Sequence, residues 1–153
     1  MMSLCCKVLT ALEGKTLATA ESCTGGMIGQ LLTAVPGASS VYKGGVVSYC
    51  NEIKQRLLEV DEQILSEYGA VSAPVARAMA QGARKLLDTD IAVSVTGLAG
   101  PSGDEYGNPV GTVFIGYSDG KITVAEKYHF SGDRDAVRAQ AAEATLSLIL
   151  KCV

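Results

Sequence analysis

With 153 residues, 48% of them hydrophobic and 19% charged, the chain has the size and composition of one globular domain built on one core. Thirteen Lys and Arg against 16 Asp and Glu leave a net charge of -3, which removes the electrostatic term that drives polynucleotide binding, so no nucleic-acid partner is expected. No apolar run approaches the roughly 20 residues that cross a bilayer, and the opening MMSLCCKVLTALEG lacks both an early basic cluster and a long apolar centre, so no membrane contact and a cytoplasmic location are expected.

Residues 3 to 13 suit a short amphipathic helix, and Gly14-Lys15 turns the chain into a β-type segment, Thr16 to Ala20, that ends at Glu21. Thr24-Gly25-Gly26 then leads into a helix from Met27 to Val35, with Met27, Ile28, Leu31, Leu32 and Val35 on helical spacing. Pro36-Gly37 stops it. Val41 to Tyr49 reads as a strand with a glycine irregularity at Gly44-Gly45, and Asn51 is placed to cap a short helix holding Lys54, Leu57 and Leu58. Asp61-Glu62 opens a further helical turn, and Ser72 with Pro74 starts a long helix to Leu87. Ile91 to Val95 is a short apolar strand, Gly97 to Asn108 a loop, and Val110–Tyr117 with Ile122–Phe130 a hairpin about Ser118-Asp119-Gly120. A last helix runs from about Asp133 to Leu150. Helices interleaved with strands, plus one hairpin, predict a single α/β domain over residues 1–153, three-layered α/β/α with a mixed central sheet. This pattern leaves the strand order open.

Five cysteines without C-x-x-C spacing are expected to be free, mostly buried thiols, and a lone histidine, His129, gives no metal-ligand cluster, so no metal is expected. Gly14-Lys15-Thr16 is not a phosphate loop, because the position five before Gly14 is Leu9. Gly97, Gly100 and Gly103 are three apart and do not match the dinucleotide fingerprint, which argues against a nicotinamide-dinucleotide cofactor; none is expected. The strings Ser40-x-x-Lys43 and Ser118-x-x-Lys121 have the spacing of a serine–lysine motif, but neither falls on an expected helix.

Glu21-Ser22-Cys23-Thr24-Gly25-Gly26 is more informative. A serine leaving a strand into a glycine-rich helix start stands at the carboxyl edge of the sheet, where α/β proteins place ligands. The backbone N–H groups of Thr24, Gly25 and Gly26 then become candidates to hold an oxyanion or phosphate, the alternative being an ordinary capping serine in a tight turn. Together with Tyr49-Cys50-Asn51-Glu52-Ile53-Lys54, Thr96-Gly97-Leu98-Ala99-Gly100-Pro101 and Pro109-Val110-Gly111-Thr112-Val113, in that order and separation, this string closely resembles the carboxy-terminal domain of the CinA family. That family includes stand-alone nicotinamide mononucleotide deamidases, and the likeness runs from about residue 5 to the end.

The resemblance implies an amidohydrolase that converts nicotinamide mononucleotide to nicotinate mononucleotide and ammonia, with Ser22 as nucleophile and Lys54 as its base. A lysine can play that part only when neutral, so Lys54 must be desolvated or set near another cation. Tyr49 is open to orienting Lys54, relaying its proton, or simply packing its ring in the core. Thr24 either donates to the intermediate or caps its helix, and Asn51 sits within the lysine string on the substrate side. For the substrate phosphate, the candidates are a flexible N–H-rich loop containing Gly97 and Gly100 and the guanidinium of Arg138, for which a solvated role beside Asp135 is the alternative. Glu21 is open to pairing with Lys54 or to bonding nearby backbone. Longer members carry an amino-terminal domain with pyrophosphatase activity, for which 153 residues leave no room. The resemblance also implies a homo-oligomer and a small nucleotide partner. The competing functional class is a non-catalytic nucleotide-binding or regulatory domain.

Overall fold

Short buried strands alternate with amphipathic helices along the chain. The computed structural model, which describes all residues Met1–Val153, arranges them as a five-stranded mixed sheet between two helical layers. Strands β1 (Leu17–Glu21), β2 (Tyr42–Val47) and β3 (Ile91–Gly97) are parallel. Antiparallel β4 (Thr112–Ser118) and β5 (Thr123–His129) complete the order β2-β1-β3-β4-β5. The hairpin closes on Asp119, whose Oδ1 accepts the N–H groups of Lys121 and Ile122, both at 2.9 Å.

Period-two alternation assigns the two faces of the sheet. Leu17, Ile91, Val93 and Val95 pack with α1 (Met2–Ala11), α2 (Met27–Thr33) and α6 (Arg134–Cys152) in the larger core. Ala18, Ala20 and Ala92 face the other way, onto α3 (Asn51–Leu58), α4 (Glu62–Tyr68) and α5 (Ala73–Leu87). Small residues on that second face let α5 lie close to the central strands. The connection from β1 to β2 uses α2 on one face, and that from β2 to β3 uses α3 to α5 on the opposite face. The carboxyl end of β1 is therefore a topological switch point, where crevices form in open α/β sheets.

Helix starts follow their capping chemistry. Asp61 accepts from the Gln63 N–H at 2.8 Å, Ser72 from Val75 at 3.4 Å and Asp133 from Ala136 at 2.9 Å. The cap expected at Asn51 is displaced by one residue: Cys50 occupies it without a side-chain bond, and Asn51 is the first residue of α3. The strand expected to reach Tyr49 ends at Val47, since Ser48–Cys50 must turn into α3. All five cysteines are free, but only Cys5 and Cys23 are buried; Cys6, on α1, and Cys50, at the cap before α3, are exposed, and Cys152 is half-buried. No helix is long and apolar enough to cross a membrane.

Gly82 on α5 touches the helix that carries Lys54, and a Cβ there would collide with the Leu58 carbonyl. Gly82→Ala is expected to destabilise the protein by about 2–3 kcal/mol, because backbone cannot yield as a side-chain tip does. Urea unfolding measures it, and a loss below about 0.5 kcal/mol would show that the two helices separate easily.

Candidate active site

β1 continues one residue past its end, since the Ser22 N–H donates to the Val95 carbonyl at 3.0 Å. The chain then turns sharply: Gly25 and Gly26 take φ of 59° and 104°, left-handed values that a side chain disfavours. Glu21 and Ser22, being successive in an extended segment, point to opposite faces of the sheet. Glu21 reaches toward α2 and Ser22 toward α3.

Lys54, on α3, is 1% exposed. Its Nζ lies 3.0 Å from Ser22 Oγ and donates to the Ser48 carbonyl at 2.8 Å and the Tyr49 carbonyl at 3.5 Å. No carboxylate pairs with it. Burial pushes its ammonium down from 10.5 to about 8, against a weaker opposing pull from the Cys50 and Cys23 thiols. At pH 7 about a tenth of such lysines are neutral, against about three in ten thousand for an ordinary lysine. Ser22 is thus held against a base that is available in useful amount. Cys23 is no rival nucleophile, because burial raises its thiol to about 11.

Ser22 and Lys54 open onto a cavity of about 280 Å³ at the carboxyl ends of the parallel strands. Thr96, Gly97 and Gly100 form one wall, Tyr49 and Asn51 another, and Arg134 stands at the rim. Arg134 donates through Nη1 to the Gly100 carbonyl at 2.6 Å and through Nη2 to the Tyr49 hydroxyl at 3.1 Å, bridging the two walls. Sequence reasoning missed it. A signal was present: a cation in the first turn of α6 opposes the helix dipole and calls for an acceptor elsewhere.

Of the expected site residues, Ser22, Lys54, Tyr49, Asn51, Gly97 and Gly100 come together around this cavity. Thr24, Gly25, Gly26 and Arg138 do not line it. The Thr24 hydroxyl donates to Glu21 Oε1 at 2.7 Å, the Gly26 N–H to the same oxygen at 3.2 Å, and the Gly25 N–H to the Ser22 carbonyl at 3.1 Å. The Thr24 hydroxyl and the Gly25 and Gly26 N–H groups therefore serve the turn itself and are not free for an oxyanion, whereas the Thr24 N–H has no partner within the protein. Arg138 is neither a free fork nor a solvated group: Nε donates to the Cys23 carbonyl at 3.0 Å and Nη2 to the Thr24 carbonyl at 3.2 Å. The Tyr49 ring is 63% exposed, so it is not a core residue, and Lys54 meets its carbonyl instead of its hydroxyl. The loop expected to be flexible is tied to the body by Asn108 Nδ2 on the Val71 carbonyl and Tyr106 Oη on the Ser66 carbonyl, at 3.1 and 2.9 Å. His129 is exposed at the end of β5 and pairs across the sheet with Thr112.

Comparison with known proteins agrees with this geometry. The family model for the CinA C-terminal domain matches residues 2–153. A CinA-like protein of Geobacter metallireducens is 54% identical over 125 residues, 82% of this chain and 30% of that protein, and one of Thermotoga neapolitana is 49% identical over 138 residues, 90% of this chain and 33% of that protein. The chain thus spans about a third of the length of these curated relatives. Among solved structures, competence damage-inducible protein A of Klebsiella pneumoniae superimposes with a TM-score of 0.95 at 36% identity, covering 99% of this chain and 96% of that one. A CinA superfamily protein of Escherichia coli does so with a TM-score of 0.92 at 34% identity, covering 99% and 87%. By fold, by sequence and by a family match that runs the length of the domain, this chain belongs to the CinA C-terminal domain family.

Proposed function

We propose that the domain is an amidohydrolase that deamidates nicotinamide mononucleotide through an acyl-enzyme on Ser22. The observation that carries this reading is the buried 3.0 Å contact between Ser22 Oγ and a Lys54 amine whose charge is destabilised by burial, at the floor of a small-molecule cavity. Neutral Lys54 takes the hydroxyl proton as Ser22 Oγ bonds to the carboxamide carbon. The resulting ammonium returns that proton to the departing nitrogen, the C–N bond breaks, and ammonia leaves. A water molecule, deprotonated by the same lysine, then hydrolyses the ester and releases the carboxylate. The substrate identity rests on the family resemblance, and Arg134 at the rim is the cation best placed to meet a phosphate. The same reading carries an assembly of two or more copies.

A domain that only binds nucleotide gains nothing from a neutral lysine buried against a serine, which weighs against the non-catalytic alternative. Ammonia release from nicotinamide mononucleotide, with free nicotinamide as the comparison and a chelator present, tests the proposal. Turnover of the nucleotide is expected to survive chelation, and Arg134→Met is expected to raise its KM by about ten- to a hundredfold without comparable effect on nicotinamide. Absence of turnover in folded protein that still binds the nucleotide would favour the binding domain.

A further inference from the structure

Glu21 is 2% exposed, has no cationic partner, and stands next in sequence to the nucleophile. Oε1 accepts the Thr24 hydroxyl at 2.7 Å, the Ile28 N–H at 2.9 Å and the Gly26 N–H at 3.2 Å. Oε2 accepts the Gly29 N–H at 3.1 Å and the Thr19 hydroxyl at 3.5 Å. The hydroxyl of Tyr42 in turn meets that of Thr19 at 2.8 Å. Gly29 and Gly45 leave the room this network needs, since a Cβ at either would strike the Tyr42 hydroxyl, at 2.7 and 2.8 Å. A buried carboxylate is costly unless its lone pairs are filled, and here the first turn of α2 and two hydroxyls fill them.

Resting on the proposed serine–lysine chemistry, we infer that Glu21 is the positioning residue of the nucleophile. Its carboxylate ties the Ser22–Gly26 turn to α2, so that Ser22 Oγ is fixed on the opposite face against Lys54. Its charge meanwhile is absorbed by backbone donors on its own face and does not hold Lys54 protonated. Strand alternation makes both effects possible: adjacent residues carry the anchor and the nucleophile to opposite sides of one sheet. A glutamate facing Lys54 would act against the base. Glutamine in its place keeps the shape but sets an NH2 against the Gly29 N–H, so that a donor faces a donor and the turn loses one tie.

The test measures covalent labelling of Ser22 by a fluorophosphonate across pH, in wild type and in Glu21→Gln, alongside unfolding curves. The plateau labelling rate of folded Glu21→Gln is expected to fall about ten- to a hundredfold, as a displaced nucleophile requires. The pH midpoint, set by Lys54, is expected to stay where wild type has it. A purely structural glutamate would lower the melting temperature and leave the plateau rate unchanged, and that result overturns the inference. A midpoint moved to lower pH by a unit or more would show that Glu21 does hold Lys54 charged, and overturns it as well. If Glu21→Gln fails to fold, Thr24→Val removes the 2.7 Å donor and keeps the carboxylate, and an unchanged plateau there overturns it equally. Wild type that is not labelled at Ser22 rejects the serine–lysine reading, and this inference with it. Wild type labelled and Glu21→Gln labelled at the same rate rejects only the role of Glu21.

Discussion

Ser22→Ala is expected to lower ammonia release by about four to six orders of magnitude, and Lys54→Met by about two to four, with the double variant no worse than Ser22→Ala alone. The two groups act on one proton, so their effects cannot add. In the wild type, kcat/KM is expected to climb about tenfold per pH unit on the acidic side and to level off near pH 8, the point at which burial releases the Lys54 proton. Steady-state rates from pH 5.5 to 9.5 measure this. Turnover retained by Ser22→Ala would remove the nucleophile from the proposal, and a midpoint near 10.5 would mean that Lys54 is not desolvated when it works.

The same lysine sets the second large effect, which is on stability. Its pKa is about 8 in the folded chain and 10.5 as a reference, so between those values the unfolded chain binds more protons and native stability rises with pH. Below pH 8 both states are protonated, and the full penalty of about 3 kcal/mol stands. Lys54→Met keeps the side-chain length and removes that penalty, at a loss of about 1–2 kcal/mol from the unpaired Ser48 carbonyl. A net gain of about 1–2 kcal/mol is therefore expected at pH 7, shrinking and then reversing toward pH 10.5. Denaturant unfolding at pH 7 and pH 10 decides it. A variant less stable than wild type by the same margin at both pH values would show that folding does not lower the Lys54 pKa. An inactive variant more stable than its parent is what a strained active site predicts.

The element types and most of their boundaries were legible because each carries a local signal. The caps at Asp61, Ser72 and Asp133, the Pro36-Gly37 stop and the Asp119-Gly120 turn act within a few residues of chain. Element ends differ from expectation by up to two residues, and the differences at Tyr49 and Asn51 lie where a strand must turn into a helix to deliver Lys54, so that position outweighs propensity there. Ser22 and Lys54 could be paired only through the family resemblance, since 32 residues separate them and nothing local links a strand end to the second turn of a helix. Arg138, expected to meet a phosphate or solvent, and the Gly25 and Gly26 N–H groups, expected to meet a ligand, bond inward to the turn instead, as the Thr24 hydroxyl does. Backbone groups near a sharp turn have two possible customers, and spacing does not say which is nearer.

A single α/β domain, the glycine-rich turn after Ser22 and the family are legible in the sequence, because periodicity, capping and short motifs are properties of neighbouring residues. Tertiary structure alone decided the strand order, the 3.0 Å meeting of Ser22 with Lys54, the arginine bridge at the cavity rim and the separation of Glu21 from the lysine. Each of these depends on which face of the sheet a residue occupies and on how deeply it is buried. Burial in particular is what turns an ordinary lysine into a base, and no property of residue 54 alone contains it.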